Sequence, residues 1–117
     1  MVSIVGPRGS GKTFMVYSLI YHLEGFLPRS NLPNINFEHE KLRHLSAEDL
    51  GDLITVYYEI GKPDRNKPIY LFLDEIQVVE GWSRWVNRIY ESKEYHIYLT
   101  GSTSQLLSRE IASEMRG

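Results

Sequence analysis

The sequence predicts one α/β domain built on a mostly parallel sheet. Strand-like and helix-like segments alternate along the whole chain, the pattern of α/β folds. The run Ile69-Tyr70-Leu71-Phe72-Leu73 is apolar throughout, as expected of a strand covered on both faces. Glycines cluster directly after the first strand, where such a sheet turns into its first helix. At 117 residues the chain holds one core, so residues 1–117 are read as a single domain.

Val2-Ser3-Ile4-Val5 is a short β-branched run and reads as the first strand, broken at Gly6-Pro7. Val16, Leu19, Ile20 and Leu23 then recur at helical spacing, and Gly25 can end that helix. Asn34 to Phe37 is a second, weaker strand. Ser46-Ala47-Glu48-Asp49 reads as a capping box, opening a helix whose apolar face is Leu50, Leu53, Ile54 and Tyr57. Gly61 and Pro63 stop it. The third strand is Ile69 to Leu73, and Trp82, Trp85, Val86 and Ile89 mark a third helix. Tyr95 to Leu99 is the fourth strand, and Leu107, Ile111 and Met115 mark a closing helix.

The segment Gly6-Pro7-Arg8-Gly9-Ser10-Gly11-Lys12-Thr13 matches G-x-x-x-x-G-K-[ST] at every specified position. A loop that wraps a polyphosphate must turn its backbone N–H groups inward, which requires small residues at close approach. Gly6, Gly9 and Gly11 meet that need. The helix that follows presents unpaired amides and a partial positive charge to the anion. Lys12 is placed to reach the β- and γ-phosphates, and the Thr13 hydroxyl to ligate Mg²⁺. The strand before and the amphipathic helix after this segment set it apart from an ordinary glycine-rich turn.

The third strand ends in adjacent carboxylates, Asp74-Glu75. Beside a phosphate loop, Asp74 would hold Mg²⁺ opposite Thr13, and Glu75 would take a proton from a water attacking the γ-phosphate. A buried strand finishing on a polar residue is the plainer alternative. The guanine-nucleotide signatures fail: Gln77 stands where D-x-x-G needs glycine, and Asn66-Lys67-Pro68 is followed by Ile69. The fourth strand leads into Thr100-Gly101-Ser102, at the carboxyl end of the sheet where ligand crevices form. Either hydroxyl could meet the γ-phosphate or the water, or simply cap the next helix. Ser102 is favoured, completing a catalytic set of Lys12, Glu75 and Ser102.

Other function classes are excluded or unsupported. A net charge of −2 makes no electrostatic case for nucleic acid or anionic membrane. The absence of cysteine excludes a disulfide framework and thiolate chemistry. No apolar run approaches the ~20 residues of a membrane helix, and a cytoplasmic location is expected. The four histidines lack metal-ligand spacing. Arg84 and Arg88, one turn apart and off the Trp82/Trp85 stripe, read as a solvated face, with an arginine finger as the sharper alternative. The tryptophans fit as core anchors.

Taken together, the phosphate loop, Leu71-Phe72-Leu73-Asp74-Glu75-Ile76-Gln77, Gly81-Trp82 and Tyr98-Leu99-Thr100-Gly101-Ser102 resemble the ATPase core of archaeal and bacterial AAA-type ATPases, bordering on the signal-transduction ATPases. The tail Leu107-Ser108-Arg109-Glu110-Ile111 to Arg116-Gly117 shares in the resemblance. It implies a three-layer α/β/α fold with strand order 5-1-4-3-2, and ATP with Mg²⁺ as ligands. The site would comprise Gly6 to Thr13, Asp74, Glu75 and Ser102. Relative to that family the chain is expected to be shortened at both ends, because Met1 abuts strand 1 and strand 5 would follow Gly117. Strand 1 then becomes an open edge, and self-association through it is expected. Slow ATP hydrolysis is the leading functional expectation. A nucleotide-gated switch with negligible turnover and a fragment that only binds nucleotide are its rivals.

Overall fold

Four strands set the frame of the computed structural model, which describes residues 1–6, 11–42 and 44–101. They are β1 (Val2–Val5), β2 (Asn34–Asn36), β3 (Ile69–Asp74) and β4 (Tyr95–Gly101). They lie in the order β1-β4-β3-β2 with every pairing parallel. That order agrees with the one the family resemblance implied for these four strands. Helices α1 (Lys12–Leu23), α2 (Ala47–Gly61) and α3 (Trp82–Glu91) connect them. The closing helix expected over Leu107 to Met115 lies outside the described residues.

Successive side chains of a strand face opposite sides, and here both sides are covered. Leu71, Leu73, Ile97 and Leu99 point into one core cluster, which α2 supplies with Leu50 and α3 with Trp82, Trp85 and Val86. Phe72, with Tyr70 and Tyr98 beside it, faces the second cluster, which α1 supplies with Val16 and Ile20. The sheet is therefore the middle of three layers. The apolar run of β3 needed no alternation because neither face meets water.

Local chemistry fixes the elements around the sheet. At the start of α2 the Ser46 amide donates to Asp49 Oδ2 at 2.9 Å, the reach-back half of the expected capping box. Gly81 opens α3 with φ of 79°, and a Cβ there would stand 3.3 Å from the Ala47 Cβ. Both the left-handed backbone and the close approach of α3 to α2 favour glycine at that position. The two punctuated stretches of the sequence, around Pro28 and around Pro63, are sewn together by one buried side chain. Asn31 Nδ2 donates to the carbonyls of Asp64 and Pro68 at 2.9 and 3.0 Å, and its Oδ1 accepts from the Asp64 amide at 2.8 Å.

The register decides where function can sit. Asp74 is level with Asn36 on one side and Thr100 on the other, and Val5 is level with Gly101. All four strands thus end along one edge, the edge at which open parallel sheets bind ligands. No helix among the described residues is long and apolar enough to cross a membrane.

Candidate functional site

β1 delivers the chain to Gly6, whose amide donates to the Gly101 carbonyl at 3.3 Å. The chain re-emerges at Gly11 with φ of 90°, a conformation suited to glycine, and enters α1 at once. This entry aims Lys12 back along the sheet edge rather than into solvent. Its Nζ donates to the Gly6 carbonyl at 3.1 Å and meets Glu75 Oε1 at 2.6 Å. Both side chains are buried, Lys12 at 6% exposure and Glu75 at 5%. A buried ammonium requires a counter-charge, and Glu75 supplies it across the loop.

β3 places the two carboxylates differently although they are adjacent. Asp74 is the last strand residue, half-buried, and its Oδ1 accepts a hydrogen bond from Thr100 Oγ1 on β4. Glu75 follows in the left-handed region at φ of 57°, and its amide donates to the Thr100 carbonyl at 2.9 Å. Such a conformation costs a non-glycine residue about 1–3 kcal/mol, and strain of this kind gathers at functional sites. It turns the chain into a short 3-10 segment, Ile76–Val78, that folds Gln77 back over the carboxylate. Gln77 Nε2 donates to Glu75 Oε2 at 2.5 Å.

A cavity of about 440 Å³ opens between these groups, within the usual ~300–1,000 Å³ of small-molecule sites. Gly11, Lys12 and Thr13 line it from α1, Asp74 and Glu75 from β3, and Asn36 and Glu38 from the end of β2. The oxygen donors around it (the Thr13 hydroxyl with the Asp74 and Glu38 carboxylates) suit a hard cation such as Mg²⁺, which takes one or two carboxylates and fills the rest with phosphate and water. Among the described residues there is no cluster of three or more histidine or acidic side chains that could hold a metal ion.

Of the residues singled out in the sequence, Gly11, Lys12, Thr13, Asp74 and Glu75 converge on this one cavity, and Gly6 joins them through its carbonyl contact with Lys12. Pro7, Arg8, Gly9, Ser10 and Ser102 lie outside the described residues. Of the two hydroxyl candidates, Thr100 is buried and holds Asp74. Arg84 and Arg88 are exposed on α3, as the solvated-face reading expected. Sequence reasoning missed Asn36, Glu38 and Gln77. The first two could have been found from the strand order, because a strand beside β3 must end beside Asp74. Gln77 enters the sequence reading as a departure from a guanine-nucleotide signature and as part of the family resemblance, with no role of its own in the site.

A parallel sheet whose first strand leads through a glycine-rich loop into a helix, with one strand between it and the strand ending in paired carboxylates, defines the P-loop class of α/β domains. The chain belongs to the AAA domain family, whose model matches residues 1–117. It is 37% identical over 116 residues to an uncharacterized protein of Methanocaldococcus jannaschii, covering 97% of this chain and 24% of that protein. It is 34% identical over 116 residues to an uncharacterized protein of Haemophilus influenzae, covering 97% of this chain and 28% of that one. The chain thus spans about a quarter of the length of these curated relatives. Membership points to nucleotide-binding, ATPase-like function in general.

Proposed function

We propose that the domain binds ATP with Mg²⁺ and hydrolyses it slowly, in the cytoplasm, by attack of water on the γ-phosphate. The observation that carries this reading is the Lys12–Glu75 pair at 2.6 Å, set in a cavity that Thr13 and Asp74 also line. A phosphate-binding cation, two metal-ligand candidates and a base candidate share one space. Gly6 to Thr13 cradle the phosphates, and Lys12 leaves Glu75 for the β- and γ-phosphate oxygens. Thr13 and Asp74, which Thr100 keeps oriented, would hold Mg²⁺, and the cation would supply charge neutralisation at those oxygens. Glu75 accepts a proton from water as the new oxygen–phosphorus bond forms. The bond from the γ-phosphorus to the bridging oxygen breaks, and ADP and inorganic phosphate leave.

Turnover well below ~1 per second, the low end of the enzyme range, is expected. Multiple-turnover phosphate release with Mg²⁺-ATP, abolished in Asp74→Asn, tests the proposal; release of no more than one phosphate per protein refutes catalytic turnover. The same ion pair favours a second reading, a nucleotide-gated switch, because nucleotide must rearrange it to bind. Binding without turnover, accompanied by a change in shape between the ATP and ADP states, would select the switch.

A further inference from the structure

We propose that Gln77 is the positioning residue for Glu75: it holds one carboxylate oxygen while an arriving polyphosphate draws Lys12 away from the other. The proposal rests on the reading of Glu75 as the base and assigns a role to a residue outside the phosphate loop and the carboxylate pair.

The two oxygens of Glu75 are gripped separately. Oε1 takes the Lys12 ammonium at 2.6 Å, and Oε2 takes the Gln77 amide at 2.5 Å. The left-handed backbone at Glu75 and the 3-10 turn after it bring Gln77 into reach. The orientation of the Gln77 amide follows from its partner: a carboxylate only accepts, so the amide nitrogen must face it. That leaves Gln77 Oε1 buried, with no hydrogen-bond partner among the described residues. An unpaired buried carbonyl is costly, so the amide holds Glu75 at the expense of its own oxygen.

A purely structural role fits less well, since the turn is already anchored by Ile76 and Val79, both fully buried. The two grips also differ in kind. Lys12 is charged and belongs to the phosphate loop, so a polyphosphate competes for it directly. Gln77 is neutral and has no attraction to phosphate that would pull it from a carboxylate. Nucleotide binding therefore frees Oε1 for water and leaves Oε2 fixed, which restricts the base to one orientation at the moment it is needed.

The test uses Gln77→Met and Gln77→Glu, which keep the length of the side chain and remove the donor. Both should lower kcat by about tenfold to hundredfold, the loss expected when a reacting group is misplaced by about an ångström. In Gln77→Met, which adds no charge, KM and ATP affinity by calorimetry should stay within about twofold. A residue that only fills space would tolerate both variants, so wild-type kcat in either overturns the proposal. A second readout does not need turnover. In the wild-type protein the Gln77 side-chain amide protons should exchange slowly with water, both ligand-free and with a non-hydrolysable ATP analogue, and Glu75→Ala should abolish that protection. Fast exchange in the wild type, or protection lost on adding the analogue, also overturns it. If the wild type releases no phosphate, the hydrolysis reading fails by itself, and the amide exchange still decides whether Gln77 holds Glu75.

Discussion

Replacing Glu75 with glutamine should make the protein less stable when empty and tighter for nucleotide. Lys12 is 6% exposed, and Glu75 is its counter-charge at 2.6 Å. Removing one partner of a buried ion pair typically costs about 3–5 kcal/mol. Glutamine keeps a carbonyl that can accept from the ammonium, returning roughly 1.5–2 kcal/mol as a charge-assisted hydrogen bond. The net loss is about 1.5–3 kcal/mol in the empty state. With nucleotide bound, Lys12 is paired with phosphate and most of that loss disappears. The difference appears as affinity: at ~1.4 kcal/mol per tenfold, Glu75→Gln should bind ATP about ten- to hundredfold more tightly. Its ligand-free melting temperature should fall by about 6–12 °C, at ~4 °C per kcal/mol for a chain of this length. Hydrolysis should drop by about 10²–10⁴, the usual contribution of a general base. Calorimetry, thermal melts with and without nucleotide, and phosphate release measure the three effects. Unchanged affinity with an unchanged melting temperature would refute the resting ion pair, and wild-type turnover would refute the base.

Lys12→Ala should abolish binding of both ATP and GTP, which in the wild type should differ by no more than about tenfold, or ~1.4 kcal/mol; calorimetry with both nucleotides checks this. Thr100→Val removes the donor to Asp74 and should raise the Mg²⁺ concentration needed for half-maximal turnover by about tenfold, the scale of losing a hydrogen bond behind a metal ligand; a magnesium titration of activity decides it. Burial, then the neighbouring Tyr58, pushes the Tyr57 phenol up to about 12. An unfolded tyrosine ionises near ~10, so the stabilising contribution is intact below that pH and is lost as pH rises towards 12. Denaturant midpoints should fall over that window, and less so in Tyr57→Phe. Among the described residues β1 pairs only with β4, and Val2 on it is 45% exposed, so sedimentation should show association across micromolar concentrations that Val2→Lys suppresses; a strict monomer would refute the open edge.

How much of this was legible in the sequence depended on how local each signal was. The four strands and three helices were readable because their patterns are short-range: β-branched Val2 to Val5, the apolar run of β3, the Trp82/Trp85/Val86 stripe. The phosphate loop and Asp74-Glu75 were readable because they are contiguous motifs. The different tasks expected of Asp74 and Glu75 were readable, but their different partners, Thr100 for one and Lys12 with Gln77 for the other, were not, since these depend on a left-handed φ at Glu75 that nothing in the local sequence demands. Thr100 as the partner of Asp74 required the β3–β4 register. Asn31, whose side-chain amide ties two loops together, left no signal in the sequence because its partners lie more than thirty positions away. Long-range polar contacts leave no periodic trace in a sequence.

The ion pair at the centre of the site also bears on control of the chemistry. A base standing free beside the phosphate loop would leave a buried lysine without compensation whenever nucleotide was absent. Pairing the two solves that problem and, if Glu75 is the base proposed above, occupies it at the same time. A triphosphate carries several negative charges where Glu75 carries one, so it wins the lysine on charge alone. Under the proposed mechanism the act that binds substrate is then the act that unmasks the base, with no separate conformational signal required. The strain at Glu75 belongs to the same arrangement. A relaxed strand end would send its side chain along the sheet face, while the left-handed turn, held by the Glu75 amide on the Thr100 carbonyl at 2.9 Å, delivers it to Lys12. Backbone strain of about 1–3 kcal/mol and two desolvated charges are costs to the fold, and the proposed gating by substrate would give them a purpose.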